Sequence, residues 1–374
     1  MYDIITFGSA AQDIHVKSKA FKILKNLPHS KAGEKDFGAP FGSGEGICLA
    51  LGSKIDVEDI SFATGGGGTN TAATFAKQGF KTAFCGAIGS DMAGLEIVRE
   101  LKNFRIDTRF LVKKKEKHTN YSIVISNNSH DRTILVYRGA SDILEDKDIR
   151  WRRIRKTKWF YLAPFTGLLL ASPEPESEGG LGLAEALPQQ GEGGCALFEK
   201  IIDFAKENNI KVAVNPSKQQ LSLPDEQLKN IFKKVDILFL NQEEASFLTK
   251  IPFTEEKNIF QKIDELCPGI AVMTRGGEGV VVSDGKFIYS ALPDPDRKVV
   301  DTTGAGDSFA SGFLSDYIRY NGDIEKAIQL GLANSAGNLS EVGAKTGLLS
   351  KDSKFNRVSV VKQLCSENNL CIIK

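Results

Sequence analysis

Asp301-Thr-Thr-Gly-Ala-Gly-Asp-Ser-Phe309 carries the densest chemistry in this chain. Val299 and Val300 precede it and predict a short strand that ends at Asp301. Behind it Phe309, Phe313, Leu314, Tyr317 and Ile318 recur at helical spacing, predicting a helix over 306–320. Gly304, Ala305 and Gly306 are small enough for their backbone N–H groups to face a ligand. A helix start presents unsatisfied donors and the positive end of a dipole, so an anion is favoured there. Asp307 falls in the first turn, where a carboxylate is a common cap. Capping alone does not account for the glycines before it. An acid beside an anion hole, with no lysine next to it, fits a base that takes a proton from a hydroxyl. The N–H groups would hold the charge that grows.

Outward from this stretch, strands and helices alternate. Ile4–Phe7, Thr82–Ile88, Trp159–Ala163, Val212–Asn215, Ile237–Asn241 and Ala271–Thr274 read as strands. Thr69–Gln78, Met92–Asn103, Leu197–Glu207 and Ile324–Leu339 read as helices, the second with Leu95, Val98 and Leu101 on one side. Such alternation predicts an α/β fold whose mostly parallel sheet is flanked by helices. Ligands then sit beyond the carboxyl ends of the strands. Two regions break the pattern. Ile14–Phe62 carries turn signals at Gly33, Gly38, Pro40, Gly42 and Gly44, and His118–Arg138 reads as two strands, Tyr121–Ser126 and Thr133–Tyr137. Together, 14–62 and 118–138 predict a small β-sheet lid, because uncovered loops of that length are uncommon. Ser172–Gly194, rich in Pro, Glu and Gly, reads as a disordered insertion between a strand and a helix. The domain expected from this pattern covers 1–355, with a tail over 356–374.

Composition narrows the classes. The chain has 374 residues, of which 41% are hydrophobic and 25% charged, so a core forms and wholesale disorder is excluded. Lys+Arg is 48 and Asp+Glu is 47, a net charge of +1, which gives no global basic surface for nucleic acid. The six cysteines form no CxxC pair and the four histidines no HExxH, which disfavours zinc and a disulfide framework. Tyr161–Ala171, the most apolar stretch, is far short of the ~20 residues of a membrane span. A cytoplasmic protein with no nucleic-acid or membrane partner is expected.

Further motifs follow other strands. Gly65-Gly-Gly-Gly-Thr-Asn70 leads into a small-residue helix, and an amide there can grip a polyol hydroxyl or a phosphate. Asp13, just past the first strand, can accept two hydrogen bonds from a vicinal diol. Asn241-Gln-Glu-Glu244 fits a helix cap as well as it fits an amide and carboxylate that organise water around Mg2+. The glycines of Thr274-Arg-Gly-Gly-Glu-Gly279 can pass under a nucleotide. Gly86–Gly94 reads as a strand, a turn and a helix capped by Ser90 or Asp91. There is no GxxxxGK[ST], which disfavours a Walker-type NTPase.

In this order, over about Tyr2–Leu349, the motifs resemble those of the ribokinase-like (PfkB-type) carbohydrate kinases. The resemblance implies a Rossmann-like core with a β-sheet lid and a homodimer through that lid. It implies ATP and Mg2+ as cofactors, with K+ in some members. Asp307 would be the catalytic base, and the backbone of Gly304, Ala305 and Gly306 the anion hole. Asp13, Gly65, Gly66 and Asn70 would bind the sugar. Asn241, Glu244, Thr274, Gly276, Gly279 and Asn334 would bind the nucleotide, Glu244 holding Mg2+ mainly through water. Asp301 and Thr303 match the K+ loop of some members. The pattern departs from ribokinases at Tyr161-Leu-Ala-Pro-Phe165, where a substrate-facing acid is absent.

The function expected is ATP-dependent phosphorylation of a primary hydroxyl on a ribose- or fructose-like sugar. The alternative is an adenosine-like nucleoside, with Tyr161 and Phe165 stacking the base. A sugar phosphate is disfavoured, since Lys113–Lys117 reads as a solvated strand end. A non-catalytic sensor on the same fold has no need of Asp307. A scaffold acting through Ser172–Gly194 is the third reading.

Overall fold

A computed structural model describes residues 1–25, 45–127, 132–164 and 196–364. The expected insertion Ser172–Gly194 and Phe165 lie outside them. The chain divides into two compact units, one of Met1–Ala11, Thr64–Asn120 and Arg138–Lys374, the other of Gln12–Ala63 and Tyr121–Tyr137. The strands in chain order are β1 (Tyr2–Phe7), β2 (Ala11–Lys17), β3 (Lys22–Lys25), β4 (Glu45–Cys48), β5 (Asp59–Gly65) and β6 (Thr82–Gly89). There follow β7 (Asp107–Lys114), β8 (Asn120–Ser126), β9 (Arg132–Tyr137), β10 (Thr157–Leu162) and β11 (Lys211–Val214). The last are β12 (Ile237–Asn241), β13 (Ile270–Thr274), β14 (Val280–Ser283), β15 (Phe287–Ala291) and β16 (Val360–Leu364).

In the larger unit, ten strands form one sheet in the order β16-β15-β14-β13-β12-β11-β10-β1-β6-β7. Every neighbouring pair from β7 across to β13 is parallel, and β14, β15 and β16 add antiparallel. Parallel strands covered on both faces are apolar throughout, and β6 is buried at all eight positions. Ile5, Phe160 and Leu162 face one side, packed with Phe198, Ile201 and Ile202 of the helix Ala196–Glu207. Ile4, Trp159 and Tyr161 face the other, packed with Phe309, Phe313 and Leu314 of the helix Ala305–Arg319. Full burial of a side chain like Phe313, 0% exposed, contributes about 1.5–3 kcal/mol. From β1 the sheet grows one way to β6 and β7, and the chain returns to β10 on the other side before running on to β13. That reversal opens a crevice at the carboxyl ends of β1 and β10, the usual ligand position of such sheets.

In the smaller unit, β5-β2-β8-β9 make a four-stranded sheet and β3-β4 an antiparallel pair. β8 and β9 pair antiparallel, and β9 exposes Ile134, Leu135, Val136 and Tyr137.

Four local expectations differ from the structure. The helix Met92–Asn103 buries Ala93, Ile97 and Leu101, a spacing of four, and turns Leu95 to solvent. Val299 and Val300 form no strand; Val300 N–H donates to the Leu339 carbonyl at 2.7 Å, the C-terminal end of a helix, and both valines are exposed. Residues 360–364, beyond the boundary expected at 355, extend the sheet as β16. Lys114 is also not a solvated strand end: it is buried and pairs with Asp148 at 2.6 Å.

Candidate active site

Asp307 stands where two helices begin. The first, Ala305–Arg319, starts from Gly304 at φ 76°, ψ 7°. A Cβ on Gly304 would lie 2.6 Å from Ala344 Cβ, so both the backbone and the packing require glycine. Gly306 is open, with no atom within 4 Å of where its Cβ would be. Helix first-turn N–H groups lack intrahelical partners. The Ala305 N–H is loosely engaged, to Thr302 O at 3.4 Å. Asp301 ties the turn down: its Oδ1 accepts from Thr303 N (2.9 Å) and Oγ1 (2.7 Å), and its Oδ2 from Gly343 N (2.9 Å).

The second helix, Gly67–Lys77, starts from Gly66 at φ 96°, where a Cβ would meet Ser9 O at 2.5 Å. Thr6 Oγ1 of β1 donates to Gly68 O (3.0 Å), anchoring the Gly65–Gly68 turn on the sheet edge. Asn70, in the first turn and 5% exposed, donates through Nδ2 to Asp307 Oδ2 at 2.9 Å. Its Oδ1 is buried with no hydrogen-bond partner among the described residues. Asp307 is half-buried, and its Oδ1 lies 3.4 Å from the Cβ position of Gly67. Two helix N-termini thus converge on one carboxylate, and a helix N-terminus favours an anion brought beside it.

Asn241 and Glu244 make the expected cap, and more. Asn241 Oδ1 accepts from Glu244 N (2.8 Å) and Glu244 Oε2 from Asn241 N (2.9 Å), a reciprocal box opening the helix Gln242–Thr249. Glu244 is half-buried, and its carboxyl is pushed above its ordinary value by burial, with the Asp307 charge adding to the shift. The Asn241 N–H and the Lys218 charge oppose it. A cavity of about 60 Å3 connects Asn241 and Glu244 to Gly306, walled also by Asn215, Thr274 and Phe309. The Glu244 carboxylate and the Asn215 and Asn241 amides, on a small cavity beside an open helix N-terminus, fit hydrated Mg2+, which needs few protein ligands. Among the described residues, no three or more His, Cys, Asp or Glu are grouped to hold a metal directly. Asn215 was missed by sequence reasoning; its signal is an amide right after β11 and before Pro216.

The other expected residues divide. Thr274 ends β13 on the same cavity, and Gly276 (φ 56°) and Gly279 (φ 88°) turn the chain just after it. Asn334 is different. It is 0% exposed, its Nδ2 donates to Ser308 O (2.8 Å) and Thr74 Oγ1 (3.2 Å), and its Oδ1 accepts from Leu349 N (2.8 Å). Its amide braces the helices instead of facing a nucleotide. Tyr161 is 0% exposed between Phe75 and Phe239, so no base can stack on it. Asp13 lies in β2 of the smaller unit and is 6% exposed.

In this doubly wound fold the N-termini of two helices converge on one carboxylate. The sequence profile of the pfkB family carbohydrate kinases matches residues 45–351, and the chain belongs to that family. It is 27% identical over 300 residues to ribokinase of Haemophilus influenzae, covering 79% of this chain and 88% of that one. It is 26% identical over 290 residues to adenosine kinase of Schizosaccharomyces pombe, covering 73% and 78%. Ribokinase of Thermotoga maritima superposes with a TM-score of 0.68 at 21% identity, over 94% of this chain and 97% of that one. The protein is a ribokinase-family sugar or nucleoside kinase, and kinases of this family use ATP with Mg2+ as the usual companion. No helix among the described residues is long and apolar enough to cross a membrane.

Proposed function

We propose that the protein transfers the γ-phosphoryl group of ATP to a primary hydroxyl of a ribose- or fructose-like sugar, with Asp307 as general base. The observation that carries this reading is the Asn70–Asp307 hydrogen bond, which sets a carboxylate at the mouth of the Gly304 turn. Asp307 takes the acceptor's proton as its oxygen attacks in line, and the N–H groups of Gly304, Ala305 and Gly306 receive the charge of the transferring group. Asn70, with Gly65 and Gly66, binds the sugar. The orphan Asn70 Oδ1 supports this, as an acceptor for a second hydroxyl. Thr274, Gly276, Gly279, Asn241 and Asn215 lie along the nucleotide, and Glu244 would hold Mg2+ through water. Bound there, Mg2+ supplies neutralisation of phosphate charge. Asp301 accepts from the Thr303 N–H and hydroxyl and from the Gly343 N–H, which braces the Gly304 turn. Burial takes Tyr161 out of the two-ring stacking platform expected for a nucleoside, and Phe165 lies outside the described residues. The apolar residues exposed on β9 support self-association through the smaller sheet.

Two outcomes check the residues around the base. Asn70→Ala raises the KM for the sugar by about tenfold, the scale of one hydrogen bond at a buried site, and leaves the KM for ATP unchanged. An unchanged sugar KM would remove Asn70 from acceptor binding. Glu244 must ionise to hold metal, and its folded-state pKa is raised. The Mg2+ concentration for half-maximal rate therefore climbs as pH falls, starting above the ordinary carboxylate range. Glu244→Gln raises that concentration at all pH values and flattens the dependence; a wild-type profile in the variant would contradict the metal role.

A further inference from the structure

Lys345 is 6% exposed, in an irregular segment that follows the helix Ile324–Leu339. Its Nζ donates to the Thr64 carbonyl at 2.8 Å and to Thr64 Oγ1 at 2.8 Å, and it pairs with Glu100 Oε2 at 3.0 Å. Thr64 Oγ1 in turn donates to the same Glu100 oxygen. A lysine is almost never buried to this degree unless paired. Such a pair is weak evidence for stability, because the cost of desolvating the charges offsets their attraction and apolar side chains often serve a fold as well. What this pair fixes is position.

The Thr64 carbonyl belongs to the peptide that leads into Gly65. Thr69 Oγ1 then donates to Gly65 O (2.7 Å) and Asn70 N to Gly66 O (2.9 Å), so the turn runs directly into the residue that holds Asp307. The two residues before Lys345 reach the other turn. Gly343 N donates to Asp301 Oδ2 at 2.9 Å, and Ala344 closes the space beside Gly304. Past Lys345, Leu349 O accepts from Gln78 Nε2 (2.9 Å) at the far end of the helix Gly67–Lys77. One segment thus reaches both turns that open onto Asp307, and Lys345 is its charged contact with the Gly65–Asn70 side.

We propose that Lys345 is a positioning residue for phosphoryl transfer, its ammonium holding the Thr64 carbonyl so that the Gly65–Asn70 turn stays in register with the Gly304 turn. The ammonium touches neither substrate. The inference rests on the kinase reading and goes beyond it, because it assigns a role to a buried charge outside the site's own motifs.

The test is Lys345→Met, which keeps an unbranched side chain and removes the charge. Steady-state kinetics use ATP with Mg2+ and whichever of ribose, fructose and related ketoses gives the highest rate. The sugar KM rises about tenfold, the scale of a hydrogen bond from a charged group. kcat falls about tenfold, since Asn70 carries the displacement to Asp307. The KM for ATP is unchanged. Combined with Asn70→Ala, the variant gives less than the product of the two single effects, because both act on one turn. Thr64→Val keeps the branched shape and removes one of the two Thr64 acceptors, and it raises the sugar KM about threefold. That variant carries the test if Lys345→Met does not fold. A lysine that serves only the fold predicts a lower thermal midpoint with kcat and both KM values intact. That result, an equal rise in both KM values, or a full product with Asn70→Ala overturns the proposal. If wild type turns over and both variants match it, this inference alone falls. If wild type phosphorylates no acceptor, the kinase reading falls and takes this inference with it.

Discussion

Asp307→Asn lowers kcat by about 10²–10⁴-fold, the scale of losing a positioned general base. The substitution is nearly isosteric. Asn70 Nδ2 still finds an oxygen at position 307, so the hydrogen bond between the two helix starts is kept and the fold is unaffected. Nucleotide affinity is retained, because the N–H groups of Gly304–Gly306 and the Asn241–Glu244 box do not depend on the Asp307 charge. A second consequence has a fixed sign. The Asp307 charge is one cause of the raised Glu244 pKa. Removing it moves Glu244 down toward its ordinary value, so metal binding persists to lower pH in the variant. Rate and nucleotide affinity are read by steady-state kinetics and calorimetry. Loss of both together would indicate a folding defect, and near wild-type turnover would take Asp307 out of the base role.

Gly304→Val lowers kcat by about 10²–10³-fold, the scale of misplacing oxyanion donors. Two independent constraints act at this position. The backbone stands at φ 76°, a region β-branched residues scarcely enter. Even the first side-chain carbon would lie 2.6 Å from Ala344 Cβ and 3.0 Å from its Cα. Relief requires the turn to move away from the Gly343–Lys345 segment, and Gly306 and Asp307 move with it, because the helix begins one residue later. Sugar KM changes less than kcat, since Asn70 belongs to the other helix. Retained kcat with a native circular dichroism spectrum would show that the donors of this turn are not used.

Much of the larger unit was legible in the sequence because its inner parallel strands are buried on both faces and read as continuous apolar runs. β12, Ile237–Asn241, is the clearest case. The helix Ile324–Leu339 was equally plain, running between Asp323, whose side chain caps it, and Ser340. Legibility failed where tertiary partners decide. In Met92–Asn103 the choice of Leu95 over Ile97 rested on a three-residue step, and only the packed neighbours Phe84 and Ile88 reveal which face turns inward. Val299–Val300 has strand-like residues but only a helix-end carbonyl to pair with. Asn334 and Tyr161 carried plausible chemistry, yet burial gives one to bracing and takes the other from any stacked base.

The candidate site was legible as residue types and not as an assembly. Asn70 and Asp307 are 237 positions apart, and no local pattern announces that they meet. Asn241-Gln-Glu-Glu244 was ambiguous between cap and metal support. The structure shows the cap, with the Glu244 carboxylate bordering the cavity at Gly306. Asn215 was invisible because a lone amide after a short strand has no distinguishing neighbours; only the cavity it walls picks it out.

The most direct measurement is ADP release from ATP with Mg2+ against a panel of ribose, fructose, related ketoses and nucleosides. One sugar should raise the rate far above background ATP hydrolysis, and Asp307→Asn should abolish that rise. Bound ATP with no acceptor exceeding background, or a rise that survives Asp307→Asn, would contradict phosphoryl transfer by this base.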